Sequence, residues 1–593
     1  MLSGGSHRHA RRSVFICIRL WLNDPNEVSS SVMTELSRNE TIKSESRFLR
    51  GTIADGLQIQ VTGSLAEDDQ QLTKFHGIYQ QDDRDLRPER AKKKMEKAVI
   101  FMARLRVPAG VLTPAQWIAM HDMAAERGNG TLRLTTRQTI QFHGVIKSNL
   151  RPAIQSIHAA MLDTIAACGD VNRNVIGSVL PWRSAVHDEV VTRARALSQH
   201  LLPKSRAWHE IWIGEDQVVG KEEDEPILGR TYLPRKFKIA IAVPPVNDVD
   251  AFAHEIGLIA VVRRGRVSGY NVVAGGGMGM THGEPDTFPR TGDVLGFCTP
   301  DQVVEVAEKI VTIQRDWGNR SDRKHARLKY TIETHGLDAF RAELNKRLGY
   351  PLPAAKPYRF ERSGDQPGWH EGDDGRWHFV MFVENGRVHG AMLQALRAIA
   401  ETHEGRFFLT PNQNLVIADV GREQRAAIDA VLDAHGLASP GTLRRNAMAC
   451  VALPTCGLAL AESERYLPDL ITALEAEYDR AGLRDDEITI RMTGCPNGCA
   501  RPYLSEIGLV GTGPGLYNLY LGGAFDGTRL SKLYRKQIGH DAIVEALAPL
   551  FSAYATERRK GERFADFVIR TGVVAATTAG NRFHANLAPE LTG

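Results

Sequence analysis

The stretch "RMTGCPNGCARPYLSEIGLVG" (residues 491–511) combines a metal-binding pattern with a segment that recurs elsewhere in the chain. It holds Cys495 and Cys499, although the 593 residues include only seven cysteines. Two more, Cys450 and Cys456, precede it, so the four follow a C-x5-C and then a C-x3-C pattern. Between Cys495 and Cys499, proline presets φ and Asn-Gly tolerates a reversal of the chain. The two sulfurs are therefore predicted to return to the same side of a turn.

Four clustered thiols in a large chain indicate a metal centre in a reducing compartment. Thiolates bind zinc, copper(I) or iron-sulfur clusters, and structural zinc sites usually use two tight knuckles in a small module. Here the first pair is widely spaced, and a helical pattern (462–480) and a strand pattern (487–494) separate the pairs. This spacing favours an iron-sulfur cluster, whose size suits ligands from distant elements. The alternative is buried cysteine without a ligand.

An internal repeat organises the rest of the chain. Helix-period patterns at 114–127 and 391–402 precede the first matched segments. The matched segments, in order, are "NGTLRLTTRQTIQFHGV" (129–145) with "EGRFFLTPNQNLVIADV" (404–420), "NRNVIGS" (172–178) with "RRNAMAC" (444–450), and "EIGLIAVVRRGRVSGYNVVAGGG" (255–277) with "EIGLVGTGPGLYNLYLGG" (506–523). Such order along the chain predicts two halves related by a pseudo-twofold axis.

The two repeats differ in their chemistry. The four clustered cysteines all lie in the second repeat, whereas the first carries Arg104, Arg173 and the basic run "LPRKFK" (233–238). Aligning "ARLRVPAG" with "VMFVENGR" places Met381 opposite Arg104. We therefore expect a metal centre in one half, a cationic wall in the other, and a site between them.

Composition sets the protein class. With 42% hydrophobic and 24% charged residues, the chain is typical of a globular protein with several domains. The net charge of +4 gives no support for nucleic acid or membrane as the principal partner, and no apolar run is long enough to span a bilayer. The glycine-rich segments 274–280 and 511–515 lack the dinucleotide and phosphate-loop fingerprints. The chain is thus expected to have no NADPH site of its own.

The N-terminal region has a different composition. The first 23 residues contain four arginines and no acid, around a short apolar run. We expect translation to begin at Met33 and the protein to be cytoplasmic, since no small-residue cleavage site follows the apolar run. The polar segment that continues to "QQDDRDLRPERAKKK" (80–94) predicts an extended arm.

"CVALPTC" (450–456) followed by "TGCPNGC" (493–499) resembles the signature of the sulfite and nitrite reductase haemoproteins. The similarity runs from about Arg47 to the end, through "SRFLRGTIADGL", "FHGIYQQDDRD" and "QRDWGNRSDRKHARLKY", and residues 1–32 have no counterpart. The resemblance implies an α+β fold, with a ferredoxin-like domain assembled from both repeats plus two further α/β domains. The predicted segments are 1–84 (N-terminal extension and arm), 85–165 (first ferredoxin-like half), 166–365 (α/β domain of the first repeat), 366–438 (second ferredoxin-like half) and 439–593 (α/β domain of the second repeat).

The resemblance also implies residue roles. The implied ligands of a 4Fe-4S cluster are Cys450, Cys456, Cys495 and Cys499, of which Cys499 also ligates sirohaem iron. The implied substrate-binding cations are Arg104, Arg173, Lys236 and Lys238. The implied sirohaem contacts are Arg133, Arg137, Gln141, His143 and Arg235.

The implied activity is the six-electron reduction of sulfite to sulfide in cysteine biosynthesis. The resemblance is strongest to the branch whose donor is a separate flavoprotein (alpha) subunit that carries NADPH, FAD and FMN. Ferredoxin-dependent reduction of sulfite or nitrite on the same fold is an alternative, although nitrite-reducing relatives tend to carry Asn where this chain has Lys238. From another class, the chain could be an iron-sulfur electron carrier or a zinc-stabilised interaction protein.

Overall fold

The fold repeats itself along the chain, as the sequence does. A computed structural model describes residues 35–214, 223–437, 440–577, 579–588 and 591. Within these residues, four five-stranded sheets form, two dominated by each repeat. The predicted α+β class is confirmed, and the described residues from Leu36 onward cluster into one unit.

The strands of the described residues are numbered in chain order. They are β1 (Ile78–Asp82), β2 (Val99–Arg104), β3 (Val111–Leu112), β4 (Leu132–Leu134), β5 (Ile140–Val145), β6 (Ile176–Gly177), β7 (Ile239–Ala242), β8 (Ile256–Arg263), β9 (Arg266–Ala274), β10 (Asp293–Cys298), β11 (Gly368–Glu371), β12 (Trp377–Met381), β13 (Arg387–Val388), β14 (Arg406–Leu409), β15 (Leu415–Val420), β16 (Ala447–Ala449), β17 (Ile490–Thr493), β18 (Ile507–Gly513), β19 (Leu516–Leu521) and β20 (Lys532–Ile538).

The α-helices of the described residues are numbered in the same way. They are α1 (Arg38–Ser44), α2 (Ile53–Gln58), α3 (Glu67–Leu72), α4 (Arg87–Lys92), α5 (Pro114–Arg127), α6 (Lys147–Ala159), α7 (Ser184–His200), α8 (Ala207–Trp212), α9 (Val303–Trp317), α10 (Leu328–His335), α11 (Leu337–Leu348), α12 (Gly390–Thr402), α13 (Arg425–Ala434), α14 (Thr442–Arg445), α15 (Leu467–Arg480), α16 (His540–Glu557) and α17 (Phe564–Arg570). Helices α5 and α12 match the two predicted from helix periodicity before the repeats.

The two repeats exchange strands. One sheet has the order β1-β2-β5-β4-β13, and its last strand comes from the second repeat. The sheet of the second repeat has the order β11-β12-β15-β14-β3, and its last strand comes from the first. Both borrowed strands pair antiparallel, β13 with β4 and β3 with β14. The ferredoxin-like domain is therefore built from both halves, as predicted.

A tight glycine turn precedes each borrowed strand. Gly110 has φ +72° and Gly386 has φ +74°, in the left-handed region that glycine adopts without a steric cost. A Cβ on Gly110 would lie 2.6 Å from the carbonyl oxygen of Leu409, and one on Gly386 would lie 2.4 Å from that of Leu134. Each glycine therefore lets one repeat approach the backbone of the other.

The two remaining sheets are also copies of each other. Their orders are β10-β9-β8-β7-β6 and β16-β17-β18-β19-β20, and the pairs β6 with β7, β7 with β8, β16 with β17 and β17 with β18 are parallel. Corresponding glutamines join these sheets to the ferredoxin-like domain. Gln138 Nε2 donates to the carbonyl of Gly177 at 2.8 Å, and Gln413 Nε2 donates to that of Ala449 at 2.9 Å. Ser178 is thus the counterpart of Cys450.

The alignment that placed Met381 opposite Arg104 is wrong by one residue. Arg104 pairs with Gln141 across β2 and β5, and the equivalent pair across β12 and β15 is Val380 with Val416. Successive side chains of a strand face opposite sides of the sheet, so an error of one residue assigns the wrong side chain to this face. The buried Val380 therefore occupies the position that the cation holds in the first repeat.

The predicted extended arm is also wrong for the described residues. Helices α1, α2 and α3 lie there, and β1 pairs with β2 as an edge strand of the first sheet. Leu49 and Phe75 are buried in the main core, so a few apolar residues anchor an otherwise polar segment. The predicted start at Met33 lies outside the described residues. In the part of the chain that the structure describes, no helix has the length and apolarity needed to cross a membrane.

We predict that Gly386→Ala lowers the apparent melting temperature more than Gly130→Ala does. Both glycines have positive φ, which costs about 1 to 2 kcal/mol for alanine, but only Gly386 approaches a carbonyl, whereas a Cβ on Gly130 meets nothing within 4 Å. The overpacking should add about 1 to 3 kcal/mol. Thermal unfolding at one fixed scan rate measures the difference, and equal losses would show that the strand exchange tolerates a side chain here.

Candidate functional site

Parallel strands bring the four cysteines together. Cys450 directly follows β16, and Cys495 follows β17 after one glycine, Gly494. Because β16 and β17 are parallel neighbours, their carboxyl ends meet at one edge of the sheet. The amide of Gly494 donates to Cys450 Sγ at 3.4 Å, which joins the two ends. Cys456 and Cys499 lie in the loops that leave this edge.

The thiols influence one another electrostatically. Burial, and then the charge of Cys499, raise the pKa of Cys495 to about 11 and raise the pKa of Cys450 as well. Among the described residues, no three His, Cys, Asp or Glu side chains are arranged to hold a single metal ion. Mutually close thiols of raised pKa ionise when a multivalent cation binds them.

A cavity of about 580 Å³ contains most of the predicted site residues. Those that line it are Cys450, Cys456, Cys495, Cys499, Arg104, Arg133, Gln141, His143, Arg173, Arg235 and Lys236. Arg137 and Lys238 are not among its lining residues. The cavity therefore joins the thiols of the second repeat with cations of the first.

Arg104 and Gln141 are cross-strand neighbours on the cavity wall. Arg104 donates to Cys168 Sγ at 3.0 Å. With the amide oxygen of Gln141 assigned toward Arg104, it accepts from Arg104 Nε at 2.9 Å, and the amide nitrogen donates to His143 Nε2 at 3.3 Å. Burial, and then the charge of Arg387, lower the pKa of His143 well below its usual value. The imidazole is therefore neutral beside these cations.

Lys236 and Lys238 precede and follow the buried Phe237, just before β7, and only Lys236 lines the cavity. Burial, followed by the charges of Arg235 and Arg327, lowers the pKa of Lys236 to about 7. Burial and then the charge of Lys236 lower the pKa of Lys238 well below its usual value. An anion in the cavity would favour the charged form of both and raise their pKa values again.

Arg137 has a different environment from the other predicted contacts. It is buried and donates to the backbone carbonyls of Asn174 and, at 3.2 Å, of Ile239. These bonds join the turn after β4 to β7 and to the segment before β6. The side chain thus supports the cavity wall from behind.

Residues of the N-terminal segment complete the cavity, and the sequence analysis did not identify them. Lys74 and Tyr79 line it together with Asp170 and Arg323. Arg323 donates to both carboxylate oxygens of Asp170, at 2.7 and 3.0 Å. Despite burial, the charges of Arg323 and Lys43 lower the pKa of Asp170 to about 2. Apart from Tyr79, the sequence signal of these residues is their charge, which usually indicates solvated surface.

The first repeat also holds the cysteine loops in place. Arg133 donates to the carbonyl of Ala449 at 2.9 Å, and Thr136 Oγ1 donates to that of Cys499 at 3.1 Å. The glycine-rich segment 274–280, which matched no nucleotide fingerprint, ends at Met280, whose amide donates to the carbonyl of Pro496 at 2.9 Å. The turn between Cys495 and Cys499 is therefore supported by the other half of the chain.

A second cavity of about 350 Å³ lies beside the loop between Cys450 and Cys456. Its lining includes Val451, Leu453 and Thr455 from that loop, and Leu86 and Ala98 from the segment between β1 and β2. His143 and Val451 line both cavities. The second cavity therefore lies close to the thiols.

Comparison with known families agrees with this arrangement. The nitrite and sulphite reductase 4Fe-4S domain matches residues 193–352 and 441–577. The nitrite/sulfite reductase ferredoxin-like half domain matches residues 93–160 and 370–435, once in each repeat. The chain belongs to the nitrite and sulphite reductase family.

Particular relatives are similar over nearly the whole chain. A protein of Methylobacterium sp. (strain 4-46), named sulfite reductase [NADPH] hemoprotein beta-component, is 58% identical over 93% of this chain and 94% of its own length. One of the same name from Anoxybacillus flavithermus is 56% identical over 92% of this chain and 97% of its own. The solved structure of the Mycobacterium tuberculosis NirA protein, 26% identical, superposes with a TM-score of 0.75 over 90% of this chain and 96% of that one.

We predict that Lys236→Met stabilises the cofactor-free protein at pH 7 and that this advantage shrinks toward pH 10. The folded pKa of Lys236 is about 7, below its unfolded value of 10.5, so the unfolded state binds more protons between these values. The free energy of unfolding of the wild type therefore rises with pH between these two pKa values, whereas the methionine variant lacks this contribution. Melting temperatures of both proteins at pH 7, 8.5 and 10 measure the difference, and a constant difference would contradict a buried, proton-poor lysine.

Proposed function

We propose that this chain reduces sulfite to sulfide with six electrons, at a sirohaem coupled to a 4Fe-4S cluster. The observation that carries the proposal is one cavity lined both by the four clustered thiols and by several half-buried cations. Relatives that share more than half of their residues with this chain are named as the haemoprotein component of NADPH-dependent sulfite reductase.

The residues present fit both groups. Cys450, Cys456, Cys495 and Cys499 would hold the cluster, since four thiolates are the usual ligands of such a cubane, and Cys499, the exposed one, would be shared with sirohaem iron. Sirohaem bears eight carboxylates, so it requires cationic and hydrogen-bonding walls. Arg133, Gln141, His143 and Arg235 line the cavity and would contact it, whereas Arg137 would act from behind the wall.

When bound, the cluster and the sirohaem supply electrons, one at a time, to the sulfur atom of sulfite. The chain's own residues bind and orient the anion. Arg104 and Arg173 present planar guanidinium donors to the cavity, and such donors stabilise negative charge on oxygen as S–O bonds break. Lys236, whose pKa is about 7 without an anion, can hold a proton at Nζ for an oxygen that leaves as water.

The proposed partner is a flavoprotein that carries NADPH, FAD and FMN. This chain has no dinucleotide fingerprint, and the relatives are named as beta-components of an NADPH enzyme. The proposed location is the cytoplasm, where a reducing environment keeps such thiols available to metal.

The direct test is to purify the protein, record its visible spectrum and assay sulfite reduction with reduced methyl viologen. Haem bands and sulfide production are expected. The isolated chain should not oxidise NADPH until a flavoprotein component is added. A protein without haem bands, or with bands but no sulfide, would refute the proposed function.

We predict that Cys495→Ser abolishes the iron-sulfur cluster and, with it, stable binding of sirohaem. One missing thiolate opens the cubane, and the shared ligand Cys499 then loses its support. Cys298→Ser, at a buried cysteine outside the cavity, is the matched control and should keep both groups. Iron, acid-labile sulfide and haem absorbance are measured, and full cofactor content in Cys495→Ser would exclude this residue as a ligand.

We predict that Lys238→Asn lowers sulfite turnover by at least about tenfold, which corresponds to roughly 1.4 kcal/mol of transition-state stabilisation. Sulfite carries up to two negative charges and nitrite one, so loss of a nearby cation should harm sulfite reduction more. Nitrite turnover should fall less or rise, with unchanged haem and cluster. Lys346→Asn, on the exposed face of α11, is the control. Equal losses toward both anions would show that Lys238 does not discriminate between them.

A further inference from the structure

The segment between β1 and β2 forms an exposed basic surface that the proposed mechanism does not use. This segment, residues 83–97, is called the hairpin tip. Lys92, Lys94 and Lys97 are exposed there, and none forms a salt bridge with any residue that the structure describes. By contrast, the neighbouring Lys93 pairs with Glu89 at 2.6 Å. The hairpin tip therefore offers unpaired positive charge to a partner.

Exposed apolar side chains lie beside these lysines. Val61 is 93% exposed, and Ile59, Met95 and Ile146 are each about half exposed (51%, 50% and 49%). Hydrogen bonds between residues adjacent to them in the chain place these apolar side chains near one another. Glu96, next to Met95, accepts from the amide of Gly63 at 3.1 Å, and Lys147, next to Ile146, donates to the carbonyl of Thr62 at 3.1 Å. Exposed apolar groups bordered by charge are typical of protein interfaces.

The hairpin tip also contacts the loop that carries two of the cysteines. Arg84 donates to the carbonyls of Ala459 at 2.7 Å and Cys456 at 3.3 Å. The second cavity lies at this junction, with Leu86 on the tip and Val451 and Thr455 on the loop. Val451 adjoins Cys450 and Thr455 adjoins Cys456, so this cavity offers a short route from the surface to the thiols.

We propose that the hairpin tip, with Val61 and Ile146, is the docking surface for the electron donor, a reduced flavoprotein with an acidic face. This inference rests on the proposed function and adds the place of electron entry. The donor's carboxylates pair with Lys92, Lys94 and Lys97, its apolar contacts cover Val61 and Met95, and its flavin lies over the second cavity.

The electron balance requires repeated electron transfers at this surface. Each transfer oxidises the flavin by one electron and reduces the haemoprotein by one. Six transfers and eight protons convert one sulfite dianion to hydrogen sulfide and three waters. Rim charges mainly raise the association rate, in a manner that salt screens, which suits a partner that must deliver electrons repeatedly.

The test combines charge reversal with two electron donors. The variant Lys92→Glu/Lys94→Glu/Lys97→Glu is compared with Arg264→Glu/Lys346→Glu/Lys560→Glu, which reverses three exposed cations outside the tip. Sulfite reduction is measured with NADPH and the purified flavoprotein component of an NADPH-dependent sulfite reductase, and separately with reduced methyl viologen. Val61→Glu, at a side chain with almost no packing, tests the apolar part of the surface.

At low ionic strength, the tip variant should lose at least about tenfold in flavoprotein-driven turnover, through a higher KM for the flavoprotein. Its methyl viologen turnover and its iron, sulfide and haem content should equal those of the wild type. Added salt should slow the wild type and leave the tip variant nearly unchanged. Val61→Glu should also raise that KM, and the control triple variant should not.

Three outcomes would overturn the docking proposal. The tip variant could match the control with the flavoprotein, the wild type could fail to couple to that flavoprotein at all, or the substitutions could abolish binding to DNA or to anionic vesicles while coupling persists. Failure of the proposed function is distinguishable from these, because it would remove methyl viologen turnover from the wild type itself.

Discussion

The exchange of strands between the repeats is the constraint on which the rest of the structure depends. Neither ferredoxin-like half completes its sheet alone, because β3 and β13 each pair with a strand of the other repeat. The exchange brings α5 against the opposite sheet, where Trp117 contacts Phe407 with ring centroids 5.3 Å apart. Both borrowed strands are short, and the glycine turns before them allow the two backbones to approach closely.

This joining fixes the cavity, because its walls come from different repeats. The buried carboxylate of Asp250, in the first repeat, accepts from Arg491 at 2.7 Å and from Arg501, both in the second. In the opposite sense, Arg133 of the first repeat donates to the carbonyl of Ala449 and pairs with the carboxylate of Glu464, both in the second repeat. Removing either partner of such a buried pair would leave an uncompensated charge. The thiols and the cations are therefore held at a fixed separation.

Like charges dominate the first-repeat wall, and this has an energetic cost. Asp170 compensates Arg323 and Lys43 at the edge of the cavity. Burial and repulsion from neighbouring cations lower the pKa values of Lys236, on the cavity wall, and of Lys238, outside the lining. A wall of this kind destabilises the empty site but presents donors that need no reorganisation when an anion binds. Stability and function thus make opposite demands on the same residues.

The sequence by itself determined the class, the repeat and most of the site residues that line the cavity, because these depend on local pattern. The spacing of the four cysteines predicted a thiolate centre, and helix periodicity predicted α5 and α12. Matched segments predicted two halves related by a pseudo-twofold axis, and the family resemblance implied a domain shared by both halves.

Only the tertiary structure decided what depends on contacts between distant segments. A one-residue slip turns a strand over, so the pairing of β12 with β15 was needed to place Val380, rather than Met381, opposite Arg104. The polar N-terminal segment gave no sign that Leu49 and Phe75 anchor it beside the cavity. Nor could local pattern distinguish Arg137, which bonds to backbone behind the wall, from Arg133, which lines it. Each outcome depends on which surface packs against which, and that information is absent from any single stretch of sequence.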